Sequence, residues 1–173
     1  MRTAMHVSRF VLILAFLASL LSVSGASAST GTAISGTETI LLAGPTDRLW
    51  MSGKWTHVKG DLNTGGWFDL TGDGISLSGS VTRLDNVKTD ADGNGTLHGI
   101  ITYEATNGVV CQGPSNGKLT MWAFAGSVDA HCSDGSTLHG YAQDTGVIFD
   151  SSVPPNLIGV TGTFNGTLFG RGQ

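Results

Sequence analysis

Between residues 75 and 82 the side chains change character at every step: Ile75, Leu77, Gly79 and Val81 alternate with Ser76, Ser78, Ser80 and Thr82. Only an extended chain sends successive side chains to opposite faces, so this stretch, read as 75–84, is a strand with one face toward a core. The same period returns along the chain. Residues 33–42 place Ile34, Gly36, Glu38, Ile40 and Leu42 on one parity, and residues 96–104 do so with Leu97, Ile101 and Tyr103. Residues 49–59 read as one strand with Leu49, Met51, Trp55 and His57 on a face. Residues 118–132 read as another, with Phe124, Val128, Ala130 and Cys132 inward and His131 outward. Residues 157–169 put Ile158, Val160, Phe164 and Leu168 together. A short unit repeats this grammar three times, at 95–99, 136–140 and 166–170, each time with Thr and Leu side by side and a closing Gly.

Turn formers separate these runs, among them Gly44-Pro45-Thr46-Asp47, Thr71-Gly72-Asp73-Gly74, Thr106-Asn107-Gly108, Ser133-Asp134-Gly135 and a loop at 112–117. Val153-Pro154-Pro155 interrupts the last part of the chain. No apolar stripe at helical spacing follows Ala28. Eight to nine short strands at regular spacing predict an all-β fold. Many of the 26 glycines fall inside strands, where tight curvature needs positions without a side chain, which favours a single antiparallel β-barrel of about eight strands over a sandwich.

The first residues carry an address. Arg2 and Arg9 form a basic n-region, 10–21 is apolar apart from Ser19, and Ala26-Ser27-Ala28 is an A-x-A cleavage signal. Residues 1–28 are therefore expected to be a signal peptide and 29–173 the barrel domain, secreted to an extracellular or periplasmic space with no membrane span in the mature chain. There the two cysteines, Cys111 and Cys132, are expected to pair, worth about 3 kcal/mol in the chain-entropy model; two buried thiols are the alternative. Net charge is −4 over the whole chain and more negative after Ala28, and the basic residues are dispersed. Nucleic-acid binding needs clustered Lys and Arg, so it is not expected.

Asp144-Thr145-Gly146-Val147-Ile148, followed by Leu157-Ile158-Gly159-Val160-Thr161-Gly162-Thr163-Phe164, resembles the closing strands of small exported barrels of the allene oxide cyclase-like and dirigent-like group, which are calycin-type. The resemblance covers the last third of the chain. It implies a barrel fold but no catalytic residue, because no cyclase active-site residue matches and the Pro154-Pro155 loop departs from the pattern.

Polar residues on apolar parities carry the functional reading, since a buried charge is costly unless paired. Glu38, His57 and Arg83 have that character on three strands. Together with Trp55 and Tyr103 they form a candidate lumen site for a small, mostly apolar molecule. A cyclase or isomerase using Glu38 and His57 as acid and base is one alternative, and a structural or interaction module without a ligand site is another. A bland reading places Arg83 and His57 at strand ends in solvent. No cofactor is expected. Asp90, Asp92 and Asn94 match the first half of a calcium loop, but position twelve is Ile101 and no helix flanks the loop, so an ordinary Asx-rich turn is the preferred reading and no metal is expected. His98 and His139 sit at equivalent places of the repeat, opposite in face to the leucines. Trp50, Trp55, Trp67 and Trp122 would offer a sugar platform only if exposed.

Overall fold

Ten strands and no helix account for the regular structure of the described residues. The computed structural model describes residues 30–41, 48–60, 65–149 and 157–170, with backbone alone at 48, 49, 58–60, 147, 149, 157 and 158. The expected signal peptide, the turn at 44–47 and the 153–155 loop lie outside the described residues.

The strands are β1 (Thr32–Leu41), β2 (Arg48–Ser52), β3 (Trp55–Gly60), β4 (Gly65–Gly72), β5 (Ile75–Thr89), β6 (Gly95–Ala105), β7 (Val110–Thr120), β8 (Ala123–Cys132), β9 (Thr137–Phe149) and β10 (Leu157–Phe169). All pairings are antiparallel, in the order β5-β4-β1-β10-β9-β8-β7-β6, and β6 pairs back onto β5 along its whole length. Eight strands thus close a barrel, as the alternation predicted. Closure removes the free edges that an open sheet would expose. The hairpin β2–β3 lies outside the ring: β3 pairs with residues 85–89 of β5, while β4 pairs with residues 75–80 of the same edge.

Inward residues follow the parities of the sequence. Phe124 and Phe164 are fully enclosed, each contributing about 1.5–3 kcal/mol by burial. Glycines make room for these rings. Gly117 and Gly126 face each other across β7 and β8, and a methyl on either would stand 2.6 Å from the Phe124 ring. The ring therefore lies against bare backbone. Gly140 and Gly166 make the same room for Phe164.

Three expectations change. Residues 49–59 are two strands, because Gly53 takes φ 60° in a two-residue turn of the primed kind that reverses the chain. Residues 112–117 are strand, not loop; Pro114 fits because it faces outward and the β8 ladder skips Gly113 and Pro114. Residues 118–132 break at Met121 and Trp122, both left-handed with φ 48° and 70°.

Cys111 and Cys132 form a disulfide between directly opposed positions of β7 and β8. The bond spans a sequence separation of 21, and the freedom it removes from the unfolded chain is its contribution. Cys111→Ala with Cys132→Ala is expected to cost about 3 kcal/mol, read as a lower urea midpoint with a steeper slope, because the unfolded chain is then less compact.

Candidate functional site

β5 continues to Thr89, so Arg83 stands in mid-strand rather than at an end. Its parity runs inward through Val81, Arg83, Asp85, Val87 and Thr89, all buried. The guanidinium stacks on Phe124, its carbon 4.7 Å from the ring centroid. Its Nη2 donates to Ser115 Oγ at 3.4 Å, and its Nε lies 3.3 Å from Asp85 Oδ2 without pointing its N–H at that oxygen. Asp85 fits because it faces Gly99 on β6, where a side chain would collide with Oδ1.

Two further carboxyl groups enter this lumen. Tyr103 on β6 donates its hydroxyl to Glu38 Oε2 at 2.9 Å. The Phe124 backbone N–H donates to Asp144 Oδ2 at 2.7 Å. Glu38 on β1 and Asp144 on β9 share a register row, both opposed to Gly162 on the intervening β10. Asp144 Oδ1 leans over that glycine, 3.1 Å from where its Cβ would be.

The electrostatics follow from burial. Glu38 is 2% exposed, and loss of water raises its pKa against the opposing pull of Arg83 and Tyr103. Desolvation likewise raises Asp85, again against Arg83. The Tyr103 hydroxyl is pushed up by burial and by the Glu38 charge. Asp144 rises to about 6, chiefly by desolvation, with Glu38 and Asp85 adding like-charge repulsion and the Phe124 N–H and Arg83 opposing it. Glu38 Oε1, Asp85 Oδ1, Asp144 Oδ1 and Thr89 Oγ1 are buried with no hydrogen-bond partner. Natural interiors hold few such atoms, each worth about 1–3 kcal/mol when left unmatched.

No protein-family model, curated protein or solved structure matches this chain. The geometry of the site therefore carries the functional reading.

Of the five residues read as lining the lumen, Glu38, Arg83 and Tyr103 meet there. Trp55 and His57 do not. The turn at Gly53 places them on the outer face of β3, opposite the exposed Lys88. Trp55 packs under Lys54 and Lys88 at 5.2 and 4.7 Å, while His57 stacks on Trp50 at 4.9 Å. Glu38 and His57 thus stand on opposite faces and form no acid–base pair. Asp85, Ser115, Thr89 and Asp144 were missed, although parity could have found them. Asp85 and Thr89 extend the Val81–Arg83 alternation, and Asp144 extends that of Leu138, Gly140 and Ala142.

The loop at 90–95 spends oxygens on itself and on the turn at 121–122. Asp90 Oδ1 accepts the backbone N–H groups of Asp92 and Asn94 at 3.1 and 2.8 Å, and these bonds hold its carboxyl below the usual range. Asn94 Oδ1 accepts from Met121 N–H, and the Gly93 carbonyl accepts from Trp122 N–H, both at 3.1 Å. The loop is a bracket for the left-handed Met121–Trp122 turn, whose two side-chain-bearing residues cost about 1 kcal/mol or more each. Asn94→Ala is expected to lower stability by about 1–2 kcal/mol, checked by thermal melting. His98 bonds Asn116 and His139 bonds Asp129, both on the outer surface. Among the described residues no three His, Cys, Asp or Glu side chains are placed to hold a metal ion.

Proposed function

We propose that the protein is an exported barrel that binds a small, mostly apolar molecule in its lumen, with the polar end of that molecule against Glu38, Arg83, Asp85 and Asp144. One observation carries the reading: the unpartnered oxygens of Glu38, Asp85, Asp144 and Thr89 all face the inside of one closed barrel. A lumen built only for stability would gain from apolar side chains there. The disulfide supports export to an oxidising compartment, and the closed antiparallel barrel is compatible with the allene oxide cyclase-like and dirigent-like group.

The test is a thermal-shift screen of lipophilic metabolites against the purified protein. A true ligand at about a hundred times its Kd adds about 2.7 kcal/mol and raises the melting temperature by several degrees. No shift with any compound, together with no binding of apolar dyes, would leave a structural module instead.

A second reading, an isomerase or cyclase in the same lumen, is favoured by Asp144 titrating near 6 and by the Tyr103 hydroxyl bonded to Glu38. Recovery of an isomer in place of the compound supplied would support it. Unchanged recovery would exclude it.

A further inference from the structure

We propose that the head group this lumen accepts is an organic ammonium ion, held over Gly162 between the carboxyl groups of Glu38 and Asp144. The inference rests on the ligand-binding reading above and names the chemistry of its polar end.

The register supplies the geometry. Glu38, Gly162 and Asp144 occupy one row on β1, β10 and β9, so the two acids are two strand spacings apart, about 10 Å between Cα atoms. The glycine between them brings no side chain into the space. Each acid has one oxygen already bonded, to Tyr103 or to the Phe124 N–H, and one oxygen without a partner. Both residues are more than nine-tenths buried. Two unpartnered acceptors on either side of a position without a side chain call for a donor that reaches both. An ammonium has three N–H groups and no acceptor to be left unmatched.

Charge points the same way. The groups that face the row are Arg83 and Asp85 from β5 and Tyr103 from β6, besides the two acids themselves. At this level β4, β7, β8 and β10 bring Phe68, Ser115, Phe124 and Gly162, none of them ionisable. Three carboxyl groups therefore share a single guanidinium, and that cation already rests on Phe124 beside Asp85. An anionic head would add to the excess, whereas a cation relieves it. A bare metal ion fits poorly, because among the described residues no three His, Cys, Asp or Glu side chains converge to hold one. An ammonium on an apolar stem asks for only two contacts, and its stem suits the Ile40 and Val160 side chains that follow on β1 and β10.

The experiment compares octylammonium, 1-octanol and octanoate below their micelle concentrations, by calorimetry on the purified, disulfide-bonded protein at pH 7.5 and pH 5. Octylammonium is expected to bind at least tenfold more tightly than octanol at pH 7.5 and to lose about tenfold at pH 5, as the carboxyl groups take up protons. Octanol should be indifferent to pH. Glu38→Gln and Asp144→Asn should each bring the ammonium-to-alcohol ratio down several-fold; Asp144→Asn keeps an acceptor for the Phe124 N–H, so it serves if the Glu38 variant does not fold. Equal affinity for amine and alcohol, or preference for octanoate, would overturn the ammonium head and leave the apolar lumen standing. Absence of binding by all three would end both readings.

Discussion

Arg83→Met is expected to destabilise the barrel by about 3–5 kcal/mol at pH 7.5 and by clearly less at pH 5. Methionine keeps an apolar stem against Phe124, so the loss isolates the charge. Without the guanidinium, Glu38, Asp85 and Asp144 remain in the lumen with no cation, and Arg83 is the group that lowers the pKa of each. At neutral pH they must ionise at a cost or retain protons; at pH 5 protonation is easy and the missing cation matters less. Urea unfolding at both values, with the disulfide intact, reads the difference. Adding Asp85→Asn to Arg83→Met should restore part of the loss at pH 7.5 by removing one stranded charge. An equal loss at both pH values would assign the role of Arg83 to packing alone.

The second large effect is a decline of stability with rising pH in the ligand-free protein. Asp144 has a folded pKa of about 6 against an ordinary 3.8. In this window the folded state binds more protons than the unfolded one, so stability falls as pH rises. The contribution is fully present below about 3.8 and is lost as pH passes through about 6; a shift of this size corresponds to about 3 kcal/mol. Glu38 and Asp85 are raised as well and act in the same direction. Asp90, whose pKa is lowered, has the opposite sign, but its effect falls below its ordinary 3.8 and does not compete here. Urea midpoints at pH 4, 5, 6 and 7 should therefore descend for the natural protein. The Asp144→Asn curve should be flatter, converging with it toward the acid end and lying about 3 kcal/mol higher at pH 7. Parallel curves would mean that this carboxyl is not held near 6.

Much of the barrel was legible because alternation is a local property. Ile75 to Val81, Leu97 to Tyr103 and Phe124 to Cys132 name their inward faces residue by residue; the structure buries the apolar side chains of the last two and Val81, and packs Ile75 and Leu77 half-buried against the same core. Errors arose where one residue reverses the chain. Gly53 turns a single predicted strand into a hairpin and carries Trp55 and His57 to the outside. Met121 and Trp122 make a turn from residues that ordinarily avoid left-handed backbone, held there by Asn94 and Gly93 from another hairpin. No local pattern announces a turn whose support comes from 27 residues away.

The site divides in the same manner. By itself, the sequence determined that Glu38, Arg83 and Tyr103 lie on core-facing parities, and that two cysteines separated by 21 positions stand on strand-like segments. Only the tertiary structure decided which of these meet, because pairing in a barrel is set by register between strands distant in the chain. Register sets Glu38 and Asp144 on either side of Gly162 and aligns Cys111 with Cys132. It also brings Tyr103, 65 residues along, onto the Glu38 carboxyl. Parity is fixed by neighbours in sequence and can be read from them; register is fixed by closure of the whole ring, and the row of acids over a glycine exists only once that ring is closed.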